Sequence, residues 1–120
     1  MELAEIVAAL NLKPVGGAAL AKQVTGVYCS DLLSDVMAAA QAGSILVTIL
    51  THENVVAVAA LLDLAAVLFT CGKQPGAETM RRAEENGVPL LLTGMSTFET
   101  AGKLYQLLAA RGSDHESGRC

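Results

Sequence analysis

Ile45-Leu46-Val47-Thr48-Ile49-Leu50, followed at once by Thr51-His52-Glu53-Asn54, decides how this chain is read. Six β-favouring residues with a single polar break mark a strand buried on both faces, the habit of interior strands in parallel sheets. The polar cluster that ends the run opens a helical pattern, Glu53 to Leu62, rich in Ala and Val. The same succession recurs along the chain. Val24–Cys29 runs into Ser30-Asp31, Ala66–Thr70 into Cys71-Gly72-Lys73, and Pro89–Leu92 into Thr93-Gly94-Met95-Ser96-Thr97. Helical patterns follow over Asp31–Ala40, Ala77–Asn86 and Ser96–Ala110.

Punctuation agrees with this reading. Gly43 stops the Asp31–Ala40 helix, and Asn86-Gly87-Val88-Pro89 supplies a glycine and then a proline after the next polar helix. Ser96-Thr97-Phe98-Glu99 is a capping box, with Ser96 as N-cap and Glu99 at the third helical position. Upstream, Glu2–Leu10 places Leu3, Ile6, Val7 and Leu10 on one helical face. Pro14 holds Lys13 at extended angles, so Leu12–Val15 is a short extended piece. Gly16-Gly17 turns the chain, and Ala18–Gln23 is a loop or weak helical turn. Strands and helices alternating through short links imply an α/β domain, with right-handed crossovers and helices on both faces of a mainly parallel sheet. The length of 120 residues suits one domain, 1–111, with a polar tail, 112–120, expected to be disordered.

Composition narrows the function. Hydrophobic residues make up 52% and aromatics 3%, so the core is aliphatic and some apolar surface is expected to be covered in a homodimer. The formal charge of −4 and the scattered Lys and Arg argue against nucleic acid. Arg81 and Arg82 belong to a solvated face, with Glu78–Arg82 and Arg81–Glu85 as helical pairs. The longest apolar stretch, Val55–Thr70, is interrupted by Asp63 and is too short for a membrane span of roughly 20 residues. Cys29, Cys71 and Cys120 form no metal-binding or redox spacing; with no signal peptide the chain reads as cytoplasmic, with Cys29 and Cys71 as small buried hydrophobes.

Catalytic motifs do not complete themselves. Gly72-Lys73 and Gly102-Lys103 lack the glycine five residues upstream and the Ser or Thr downstream that a phosphate-binding loop needs. The dinucleotide pattern of three glycines is absent. His52 is the one histidine before the tail, and a triad would need it beside Ser30 or Cys71 with Asp31 or Asp35 as orienter. Asp31 and Asp35, four residues apart on one helix, offer a weak Mg²⁺ pair; the simpler reading has Asp31 at a helix start and Asp35 in solvent. No cofactor is named by any motif.

What remains is the row of strand ends. Ser30, Asp31, Thr51, His52, Thr70, Gly72, Thr93, Ser96 and Thr97 fall where parallel strands feed helices. Each Ser or Thr is by itself an ordinary N-cap. Together they form a shelf of backbone N–H groups and hydroxyls, open at Gly72 and Gly94, that suits a phosphate or carboxylate.

Val24–Met37, Thr51–Ala59 and Ser96–Leu104 resemble the DRTGG-domain family, and the likeness extends over about residues 1–110. The chain is similar to the small stand-alone members, sometimes labelled as relatives of HPr serine kinase. The resemblance implies a three-layer α/β sandwich like the N-terminal domains of HPr kinase/phosphorylase and of Mur ligases, and a regulatory or accessory role. Elsewhere that domain accompanies nucleotide-sensing CBS modules and phosphotransacetylase-type enzymes. The kinase chemistry belongs to a separate domain with a phosphate-binding loop, which this chain lacks. The family's Asp-Arg-Thr-Gly-Gly signature is represented nearest by Leu68-Phe69-Thr70-Cys71-Gly72, where Cys71 stands for one glycine.

The expected function is a non-catalytic regulatory module that binds a small anionic metabolite or nucleotide at the strand C-termini. Two alternatives are an interaction module, using Glu53–Leu62 and Leu104–Ala109 against a second copy or an enzyme partner, and a small enzyme using His52 with Asp31 or Asp35.

Overall fold

The computed structural model describes residues 1–15 and 19–110. The Gly16-Gly17 turn, Ala18 and the expected tail lie outside the described residues. Among the described residues five helices and five strands follow in the order α1 (Leu3–Leu10), β1 (Lys13–Val15), β2 (Gly26–Cys29), α2 (Leu33–Ala39), β3 (Ser44–Thr48), α3 (Asn54–Leu62), β4 (Ala66–Phe69), α4 (Ala77–Asn86), β5 (Leu90–Leu92) and α5 (Thr97–Ala110). One mixed sheet has the order β1-β5-β4-β3-β2. β2 through β5 are parallel, and β1 pairs antiparallel with β5, Lys13 facing Leu92.

Alternation along the strands explains the two helical layers. Leu46, Val67, Phe69, Leu90 and Leu92 point to one face, where they meet Val36 of α2, Val55, Val56 and Ala59 of α3 and Ala83 of α4. Ile45, Val47, Ala66, Leu68 and Leu91 point to the other, against Leu3 and Ile6 of α1 and Leu104 and Leu108 of α5. β3 and β4 are buried at every position, Ser44 and Thr48 included, as their largely apolar runs require. Each buried Leu, Ile or Phe contributes about 1.5–3 kcal/mol relative to exposure.

Several boundaries depart from the sequence reading. The extended piece at Lys13–Val15 is a strand of the sheet, stitched on as an antiparallel edge where Pro14 is tolerated. β3 ends at Thr48 rather than Leu50, and α2 begins at Leu33 rather than Asp31. One residue causes both shifts. Asp31 Oδ1 accepts the Ile49 N–H and the Thr48 hydroxyl, each at 2.9 Å, so the backbone leaves the ladder there and Asp31 stays outside the helix. Arg82 does not pair with Glu78; it reaches Glu53 before α3 at 3.1 Å, while Arg81 takes Glu78 and Glu85. Ser96 caps as expected, its Oγ accepting the Glu99 N–H at 3.0 Å. Among the described residues, no helix is long and apolar enough to cross a membrane.

Two glycines give opposite expectations. Gly43 sits at φ +83°, and an added Cβ would lie 2.5 Å from Thr25 Oγ1. Gly102, on the open side of α5, would meet nothing within 4 Å. Gly43→Ala should lower unfolding free energy by about 2 kcal/mol or more, from the left-handed backbone and the clash together. Gly102→Ala should raise it by about 0.8–1 kcal/mol through helix propensity. Urea unfolding monitored by circular dichroism measures both; equal effects would contradict the assigned backbone.

Candidate functional site

Because β2, β3, β4 and β5 run in one direction, their carboxyl ends share one edge of the sheet. All nine residues singled out from the sequence follow those ends. They divide into two unlike groups.

The first group lies beyond β2 and β3, ahead of α2 and α3. Here a cleft of about 310 Å³ is lined by Asp31, Leu32, Leu33, Leu50, His52, Asn54 and Val55. Ser30 sits at its border, with its Oγ accepting the Leu32 N–H at 3.2 Å, so it fixes the turn and does not cap α2. Thr51 contributes its carbonyl, which accepts the Thr79 hydroxyl at 2.7 Å and ties the loop to α4. His52 Nδ1 accepts the Asn54 N–H at 3.1 Å. With that lone pair taken, the neutral ring carries its proton on Nε2 and presents a donor.

That protonation bears on catalysis. A triad histidine donates from Nδ1 to its orienting carboxylate and accepts at Nε2. His52 has the opposite arrangement, and Asp31 is bound to Thr48 and Ile49. The supposed Asp31–Asp35 helical pair does not form, because Asp31 precedes α2 and the Asp35 carboxylate accepts the Tyr28 hydroxyl at 2.8 Å. Among the described residues, no group of three or more His, Cys, Asp and Glu side chains is placed to hold a metal ion.

The second group closes the edge beyond β4 and β5. Thr70 and Thr97 share a hydroxyl–hydroxyl bond of 2.7 Å. Cys71 N–H donates to Met95 O at 2.8 Å, Gly72 N–H to Thr93 O at 3.1 Å and Lys73 N–H back to Thr70 O at 3.1 Å. Thr93 Oγ1 in turn accepts the Met95 N–H at 3.2 Å. Cys71 at φ +59° and Gly72 at φ +70° are the two central residues of a tight turn with positive φ at both places. This corrects the expectation for Cys71: it is exposed, since the turn lifts it off the sheet, whereas Cys29 is half-buried against the α1–α5 layer. The exposed residues Lys13 and Lys73 lie at this same end of the sheet, the first by its register with Leu92.

A family model described as the DRTGG domain matches residues 5–107. The chain belongs to the DRTGG-domain family. Among solved structures it is similar to the CBS and DRTGG domains of the regulatory region of Clostridium perfringens pyrophosphatase, a complex with the activator diadenosine tetraphosphate. That likeness has a TM-score of 0.63 at 15% identity and covers 83% of this chain and 44% of the other. It is a likeness of fold. No curated protein matches the chain.

Within this DRTGG domain, Cys71 occupies the turn position for which glycine is the unstrained choice. Thr70, then the backbone at Thr97, hold its thiol below the ordinary range, and Lys73 adds to the effect. Such a thiol stabilises the folded state above its unfolded-state pKa, and that contribution is lost as pH falls through the lower folded value. Iodoacetamide should therefore modify Cys71 much faster than Cys29, with a pH midpoint below that of a free cysteine. Thr70→Val should move the midpoint upward. Equal rates at the two cysteines would contradict this placement.

Proposed function

We propose that this DRTGG domain is a non-catalytic regulatory or accessory module, binding a small anionic metabolite or nucleotide along the strand C-termini. One observation carries the reading: four parallel strands end on one edge, beside a cleft of about 310 Å³. Ligands of open α/β sheets lie outside such ends. Ser30, Asp31, Thr51 and His52 belong to the cleft side of the proposed site, and Thr70, Gly72, Thr93, Ser96 and Thr97 to the hydroxyl-lined side. Lys13 and Lys73 supply positive charge near the second group. The regulatory region that shares the fold carries a nucleotide activator, which agrees with this class of ligand. A cytoplasmic location fits the same role.

The experiment is a melting-temperature panel of nucleotides, sugar phosphates and small carboxylates. A ligand at one hundred times its Kd adds about 2.7 kcal/mol to stability, which raises the melting point by several degrees in a domain of this size. A flat response across the panel at millimolar concentration contradicts the reading.

A second reading, an interaction module for a like copy or an enzyme partner, is favoured by the exposed Leu61 of α3 and by Phe98 and Tyr105 of α5. The surface proposed from the sequence needs revision. Leu104 and Leu108 are buried in the domain's own core, and α3 and α5 cover opposite faces of the sheet. A homodimer through α3 remains the specific form of this proposal. Ala57→Glu, an exposed change, should then halve the mass measured by light scattering and leave ligand-induced stabilisation intact. An unchanged mass contradicts a dimer through α3.

A further inference from the structure

The cleft between α2 and α3 has a chemistry of its own. Four of its seven lining residues are aliphatic: Leu32, Leu33, Leu50 and Val55. Val55 is fully buried, whereas Leu32 is 62% exposed and lines the cleft from its open side. These groups suit the faces of a flat apolar body.

The polar groups are few and of fixed sense. Both hydrogen bonds that Asp31 accepts, from Thr48 and Ile49, fall on Oδ1. Oδ2 of the same carboxylate stays an acceptor. His52, its Nδ1 occupied by the Asn54 N–H, offers Nε2–H as a donor. The cleft therefore presents an acceptor and a donor beside aliphatic walls. The complementary edge has an amino group next to an unprotonated ring nitrogen. Adenine has that edge in N6–H₂ and N1; hypoxanthine has the reverse, with O6 as acceptor and N1–H as donor. The volume, at the small end of ligand pockets, holds one nucleoside.

We propose that this cleft is a base-recognition pocket for an adenine-type nucleoside, with the exocyclic amine on Asp31 Oδ2, the ring nitrogen on His52 Nε2–H and the ring faces against Leu32 and Leu50. The assignment deepens the ligand-binding reading and rests on it for the rest of the ligand. It does not require any phosphate.

Uncharged nucleosides test it by titration calorimetry on the whole chain. Adenosine should bind at least about tenfold more tightly than inosine, since the wrong partner leaves polar groups unpaired. Asp31→Asn keeps an oxygen for Thr48 and Ile49 while turning the outer atom into a donor; adenosine and inosine then each keep one match and meet one clash, so adenosine should weaken and its preference over inosine should collapse. Leu32→Ser, at an exposed position that spares the fold, should weaken adenosine about fivefold or more through lost apolar contact. Equal affinities for the two nucleosides, or no binding of either, would overturn the pocket. If ribose 5-phosphate still raises the melting temperature while adenosine does not, the pocket is overturned and the anion-binding reading stands. If no probe binds, both fall.

Discussion

Burial of β3 and β4 on both faces is the constraint from which the rest of this molecule follows. A strand with no solvent face must be covered twice, so α2, α3 and α4 pack on one side and α1 and α5 on the other. Because the covered strands are parallel, each must be reached by a crossover, and each crossover starts at the same edge of the sheet. The edge that carries the candidate residues is therefore a consequence of core packing. No catalytic residue is needed to explain why loops, hydroxyls and helix starts collect there.

That edge is built in two ways. Beyond β2 and β3, Asp31 ties the two strand ends through one oxygen, and the loops separate to leave a cleft. Beyond β4 and β5, the chain crosses from one face of the sheet to the other to begin α5. Backbone bonds from Cys71 and Gly72 to Met95 and Thr93, with the Thr70–Thr97 hydroxyl pair, draw that crossing tight. The Thr70-Cys71-Gly72-Lys73 turn lies in the closed half. It places the Cys71 thiol at positive φ in solvent, beside two threonines that favour its ionised form.

How much of this was legible in the residues varies with the physics. The interior strands are readable because Ile45–Val47 and Ala66–Phe69 are apolar at every position, facing both sides of the sheet. α4 was readable to the residue, since Gly87 adopts the left-handed cap that its sequence position announces. The edge strand β1 has three residues and shows no period, so only its pairing with β5 reveals it. α2 starts later than its sequence pattern suggests because Asp31, a good cap by type, is drawn away by a longer-range partner on β3. The same blindness hid the exposure of Cys71, which depends on the turn and not on its apolar neighbours. The nine candidate residues were found by position at strand ends; that Asp31 and His52 belong to a cleft apart from Thr70 and Thr97 depends on distances no spacing rule encodes.

Membership in the DRTGG family and the fold shared with a CBS and DRTGG regulatory region establish the architecture on which the proposed ligand site rests. The most direct measurement is an amide NMR titration of the full chain with adenosine 5′-monophosphate. The account predicts that shifts concentrate at 30–33 and 49–55, with further changes at 70–73 and 93–97. Shifts gathered at the opposite end of the sheet, in the smaller cleft of about 230 Å³ around Lys22, Gln23, Asp63 and Leu64, would contradict it. An unperturbed spectrum at saturating concentrations would contradict it as well.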